Sequence, residues 1–242
     1  MLYILFAVAA LAFIAIAVIG ATIGITLTSL ASLVTAPRQF WALLRNHRLR
    51  RNHALEHATI NVIEERYGPT RLAGLAGPEG FTIRGGAAPE LVASAAQEAL
   101  RRMRAGEREL AIHPRCGTTL VASQMVMGLT FIVVLLVMRQ FTLWPFVLGI
   151  LAAILLGPRL SPLLQRHITT DASVADLAIV GVERQTPGSQ FGIASFFTAG
   201  PVFVRTAETA SGDRVTIETV DGRVTVITGE HDEVAAGGYR VR

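Results

Sequence analysis

Residues 2–34 read LYILFAVAALAFIAIAVIGATIGITLTSLASLV, 33 residues without one charged side chain. A helix needs roughly 20 apolar residues to cross the hydrocarbon core of a bilayer, so this stretch is long enough for a span with residues to spare. Two more uncharged stretches follow at 120–138 and 141–157, parted only by Arg139 and Gln140. Together they predict an integral membrane protein with three transmembrane helices: a long N-terminal anchor and a helical hairpin. The anchor is expected to tilt or to continue past the bilayer as a helix; a tight hairpin broken near Gly20 and Gly24 is the less favoured alternative. It lacks the basic start and short apolar centre of a cleaved signal peptide, and reads as uncleaved.

Composition agrees. Of 242 residues, 51% are hydrophobic and only 17% charged. A soluble domain carries about 25% charged residues, so this chain is short of polar side chains to cover a water-facing surface. All 22 basic residues are arginine. The pI of about 10.2 comes with no nucleic-acid-binding motif, and the basic segment at 37–51 explains it; no nucleic-acid partner is expected. The single cysteine, Cys116, excludes an intramolecular disulfide.

Segment 37–51 holds Arg38, Arg45, Arg48, Arg50 and Arg51 with no acidic residue, whereas the turn between the last two spans holds only Arg139. Arginine-rich flanks stay cytoplasmic. The N-terminus is therefore expected outside and both polar sections inside. Four parts result: the anchor at 1–36, a cytoplasmic α+β unit at 37–118, the hairpin at 119–158, and a cytoplasmic β-rich C-terminal section at 159–242. Membrane lipids are the expected partners, with a protein partner reading the β-rich section.

Within the first polar section, 52–67 reads as a helix stopped by Gly68-Pro69, 80–84 as a short strand, and 89–105 as a helix opened by Pro89 and closed by Gly106. Residues 110–112 suggest another short strand. In the last section, strand candidates lie at 175–182 and 201–206. Residues 215–228 fold about Asp221-Gly222, a favoured hairpin turn, which opposes Thr219 to Val224, Ile217 to Val226 and Val215 to Thr228.

On a helix at about 100° per residue with His53 at zero, Glu64 falls near 20°, His57 near 40°, Asn61 near 80° and Glu56 near −60°. Leu55, Ala58, Thr59 and Val62 face the other way. The run His53-Ala54-Leu55-Glu56-His57 fits H-x-x-E-H, in which histidines four apart hold one metal and the glutamate acts as base. A second motif, His113-Pro114-Arg115-Cys116-Gly117-Thr118, places a histidine and a cysteine three apart before the second span. Both are ligand types suited to zinc. Alternatively, Arg115 with the backbone N–H groups of Gly117, Thr118 and Thr119 offers a helix N-terminus to a phosphate or carboxylate. A third polar element, 165–171, follows the last span. The expected topology brings all three to one membrane face. His47 and His231 lack such support and read as surface residues.

These motifs resemble a known family. Asn52 through Ile60, Gly80-Phe81, Leu110 through Thr118, and Gln165 with Thr169-Thr170 are similar to the membrane family called domain of unknown function 6391. A related family, domain of unknown function 1385, is similar at the two histidine motifs. The resemblance covers about residues 50–185. It implies a bacterial inner-membrane protein and matches His53, Glu56, His57, His113, Arg115 and Cys116 to motif positions, without supplying a reaction.

Three functions fit the residues. In a zinc-dependent hydrolase at the cytoplasmic membrane surface, His53 and His57 bind the metal with His113 or Cys116, and Glu56 is the base. In a scaffold or assembly protein, all four ligands close a structural site that staples the domain. The third is an anion or lipid-headgroup binder built on Arg115.

Overall fold

The computed structural model describes residues 1–185, 200–208, 214–220 and 223–229. They fall into two compact units. The first joins Met1–His47 to Ile112–Thr170, and the second joins Arg48–Ala111 to Asp171–Arg242.

The first unit is helical: α1 (Leu2–Arg45), α4 (Gly117–Met138), α5 (Trp144–Leu164) and a π-helical turn, Gln165–Thr169. All three long helices are long and apolar enough to cross a membrane. α1 runs 44 residues with no break at Gly20 or Gly24, so the anchor is one continuous helix rather than a hairpin. Its hydroxyl side chains are satisfied within the helix itself. Thr22, Thr26 and Ser29 donate to the carbonyls of Val18, Thr22 and Ile25 at 2.7–2.8 Å. Such back-bonding lets serine and threonine sit in an apolar helix without an orphaned donor. Small residues set the packing. A Cβ on Gly128 of α4 would come 2.7 Å from the Ser29 carbonyl oxygen of α1, and one on Gly157 of α5 would come 1.9 Å from Ser123 Oγ. Close backbone approach of this kind is how helices associate without a hydrophobic driving force. Ser32 adds a bond to Gln124 at 2.8 Å.

The second unit packs two helices, α2 (His47–Tyr67) and α3 (Pro89–Arg104), with a sheet of β1 (Ala73–Gly77), β2 (Gly80–Arg84), β3 (Leu177–Arg184), β4 (Val202–Glu208), β5 (Arg214–Val220) and β6 (Arg223–Gly229). Every pairing is antiparallel, in the order β1-β2-β4-β3-β6-β5. Strands from both polar sections of the sequence thus share one sheet. Its core joins Leu55, Ala58 and Val62 of α2 to Val92, Ala96 and Ala99 of α3, Phe81 and Ile83 of β2, and Val202 and Val204 of β4. The 3.6-residue spacing of apolar positions on α2 and α3 decides which faces turn inward. α3 ends at Arg104, one residue before its reading, with Ala105 as the cap and Gly106 just beyond it at φ +103°. β5 and β6 pair in the expected register, Thr219 to Val224, Ile217 to Val226 and Val215 to Thr228. Their turn residues Asp221 and Gly222 lie outside the described residues, as does His231.

One element differs from its reading. Residues 110–112 were expected as a strand, but Arg108–Ala111 forms a 3₁₀ turn. The carbonyls of Leu110 and Ala111 accept from side chains of α2 instead of from a neighbouring strand. β1 has no counterpart in the sequence reading, because Ala-Gly-Leu-Ala-Gly contains none of the β-branched or aromatic residues that mark a strand.

Candidate metal centre

The buried stripe Leu55-Ala58-Val62 fixes the rotation of α2, and two residues fasten its N-terminal turns. Arg51, 2% exposed, pairs with Asp176 and with Glu208 at 3.1 Å. Asn52 is wholly buried. Its Nδ2 donates to the carbonyls of Gly77 at 2.8 Å and Pro78 at 3.1 Å, and its Oδ1 accepts from Thr206 Oγ1 at 2.6 Å. α2 is thereby tied to the β1–β2 turn and to β4.

His53 and His57 follow on the next face. Their ring centroids lie 4.3 Å apart at an interplanar angle of 60°. His57 Nδ1 lies 2.8 Å from the carbonyl oxygen of Ala111. A carbonyl can only accept, so Nδ1 carries a proton, and it is Nε2 that holds the lone pair whenever the ring is neutral. That is the tautomer in which an imidazole ligates a metal while a carbonyl behind it fixes the ring. Asn61 Nδ2 donates to Leu110 at 2.9 Å, so the same face of α2 holds the 3₁₀ turn twice.

Glu56, 4% exposed, sits against β1. A Cβ built on Gly74 would come 1.9 Å from Glu56 Oε1, so glycine is what lets the strand pass over this carboxylate. Glu64, which the helical wheel placed beside the histidines, accepts from Thr70 N at 3.0 Å and Thr70 Oγ1 at 2.9 Å, holding the loop after α2.

In the helical unit, the His-Pro-Arg-Cys turn is clamped by Gln165. This residue is fully buried at the end of α5. Its Oε1 accepts from His113 N at 2.8 Å, and its Nε2 donates to His113 O at 3.0 Å and Ser161 Oγ at 2.9 Å. His113 is 3% exposed, and its Nδ1 accepts from Arg115 N at 3.3 Å. Cys116 is the N-cap of α4, its Sγ accepting from Thr118 N at 3.4 Å. The N–H groups expected to be open to an anion are thus partly taken. Thr118 bonds the cysteine sulfur and Thr119 the Cys116 carbonyl at 2.9 Å, because the cysteine caps the helix as a serine would.

Gln165→Leu is expected to remove the partner of the buried His113 N–H, while His113 O keeps only Cys116 N at 3.3 Å. A buried group left unmatched costs about 1–3 kcal/mol. A lower thermal midpoint and faster labelling of Cys116 by a thiol reagent should follow; unchanged labelling would show that Gln165 does not hold the turn.

His53 and His57 stand one helical turn apart in the second unit as two donors of the type that holds a metal ion, and Cys116 is a donor of the same kind in the first unit. Sequence reasoning found these donors but missed the partners that fix them. Arg51 was read only as part of the arginine-rich flank and Asn52 only as the start of the helix and its motif, and nothing marked Gly74.

A helix carrying H-x-x-E-H on an antiparallel sheet, in a chain with three helices able to cross a membrane, defines a class of membrane-compatible protein with a His/Cys donor group. The chain belongs to the family described as Domain of unknown function (DUF6391), whose profile matches residues 48–182, from the start of α2 into β3. An uncharacterized protein of Picosynechococcus sp. is 33% identical over 153 residues, covering 58% of this chain and 74% of the relative. No solved structure matches the chain.

Proposed function

We propose that this is a membrane-bound, metal-dependent hydrolase in which His53, His57 and Cys116 share one divalent cation, zinc by donor type, and Glu56 takes the proton of the attacking water. The observation that carries the reading is the histidine pair on α2, with ring centroids 4.3 Å apart and His57 Nδ1 held by the Ala111 carbonyl. Catalytic zinc keeps three protein ligands and an open position for water, whereas structural zinc closes all four. The bond from His57 to Ala111 supports the metal, since it leaves Nε2 as the donor atom. When bound, the cation would lower the pKa of a coordinated water and polarise a carbonyl. The chain's own part is to orient the two imidazoles and hold the carboxylate, through Ala111, Asn52 and Gly74.

The staple reading is the alternative, and it needs His113 as fourth ligand. Its Nδ1 accepts from Arg115 N, which leaves only Nε2 for that task. Elemental analysis of detergent-purified full-length protein tests both. We expect about one metal ion per chain, lost in His57→Ala; a metal-free preparation that stays folded would end the metal readings.

We place the protein in the bacterial inner membrane, N-terminus outside, with both polar sections, 37–118 and 159–242, cytoplasmic. Five arginines after the anchor support this. Reporter fusions at residues 60 and 230 should both read as cytoplasmic, and a periplasmic signal at either would overturn the orientation.

A further inference from the structure

β1 is an edge strand of the sheet, and it is the strand that runs past the Glu56 carboxylate. Natural edges are usually blunted by charge, proline or a bulge. β1 carries none of these: its five residues are Ala73, Gly74, Leu75, Ala76 and Gly77, and Leu75 is 59% exposed. The turn Pro78-Glu79 joins Gly77 to Gly80, and the pairs run Ala76–Phe81, Leu75–Thr82, Gly74–Ile83 and Ala73–Arg84. In a two-residue hairpin the closing pair is hydrogen-bonded, and bonded and non-bonded pairs then alternate. Gly74 and Ala76 therefore point their N–H and C=O groups away from β2. Among the described strands, none pairs with that edge.

The helix says what the edge looks onto. Asn52 bonds to Gly77 and Glu56 touches Gly74, so β1 runs alongside α2 in the opposite direction. β2 lies on the core side of β1, its Phe81 and Ile83 buried with Leu55 and Ala58. Going round α2 away from that core, His53 comes about 60° and His57 about 100° past Glu56. Beyond them stands the 3₁₀ turn, held by Asn61 and His57. The histidine pair thus sits between the outer edge of β1 and the 108–111 turn.

We infer that the substrate is an extended polypeptide segment that adds to the outer edge of β1 as a further strand, hydrogen-bonding Gly74 and Ala76. A strand about 4.8 Å outside β1 would lie over the His53–His57 side of α2. Small side chains at Gly74 and Ala76 suit main-chain pairing, which gives affinity without demanding one sequence. This rests on the hydrolase reading for its chemistry, but the strand pairing is a binding event that needs neither metal nor Glu56.

The test uses full-length protein in detergent and a fluorescent heptapeptide of alternating valine and threonine, followed by anisotropy. Two N-methylated forms go beside it, one blocked at odd and the other at even residues. Backbone pairing to one edge needs the N–H groups of one parity only. The unmodified peptide should bind, one methylated form should match it within about threefold, and the other should lose at least tenfold. Ala76→Pro removes an outward N–H without touching the β1–β2 ladder and should also lose at least tenfold, with an unchanged thermal midpoint. Metal-stripped protein should bind as the wild type does. Binding by wild-type protein that, as purified, carries no metal and hydrolyses no peptide would end the hydrolase and leave this inference standing. Equal loss with both methylated peptides, no binding of the unmodified peptide, or a chain dimer that Ala76→Pro dissolves and peptide does not, would overturn it.

Discussion

Glu56→Gln is expected to lower hydrolysis of a fluorogenic peptide by about 10²- to 10⁴-fold, the usual contribution of a general base, while metal content and thermal midpoint stay as in the wild type. The substitution keeps the size of the side chain and one carbonyl oxygen. Glu56 is buried against β1, so its neutral isostere leaves packing intact and removes only the charge and the basic oxygen. Gly74→Ala approaches the same group from the strand. Its Cβ would occupy space within 1.9 Å of Oε1 and push the carboxylate aside. Activity should fall there as well, with metal retained. Cys116→Ser acts in the opposite sense, weakening metal binding and with it the midpoint. If Cys116→Ser destabilises the protein while Glu56→Gln and Gly74→Ala match the wild type in every assay, the centre is a staple and not an enzyme.

The sequence signals that succeeded were periodic or local. Uncharged runs of bilayer length marked all three apolar helices, and Asp221-Gly222 fixed the register of β5 and β6 before any coordinates. The donors His53, His57 and Cys116 were visible because ligand types at helical or turn spacing are rare in so apolar a chain. What stayed hidden depends on distant partners. Leu110 and Ala111 look like a strand until the side chains of Asn61 and His57 are known to take their carbonyls. β1 is invisible because its glycines and alanines serve a close approach to Glu56 and not strand propensity. Gln165 read as a polar stop after an apolar helix, whereas it closes two hydrogen bonds on the backbone of His113. No spacing rule connects residues so far apart in the chain.

Asn52 is the strongest case of such a hidden partner, and replacing it should have the largest effect on stability. Its amide makes three hydrogen bonds, two part-buried ones to Gly77 O and Pro78 O and a buried one with Thr206 Oγ1. Thr206 is itself 2% exposed, so water cannot take over the bond. Asn52→Leu fills a similar volume but leaves the buried Thr206 Oγ1 without its acceptor, at about 1–3 kcal/mol, and cuts both ties to the β1–β2 turn, at about 0.5–1.5 kcal/mol each. Domains are stable by only about 5–15 kcal/mol, so such a loss is a large share of the total. The damage should be local. Hydrogen exchange should rise at β1, β2 and β4, which Asn52 joins to α2, while α4 and α5 keep their protection. Asn52→Asp refines the test, because it retains the acceptor for Thr206 and loses both donors while burying a charge; it should be no better than leucine. If Asn52→Leu leaves exchange at 73–84 and 202–208 unchanged, the tie between helix and sheet lies elsewhere, and the placement of β1 beside Glu56 loses its anchor.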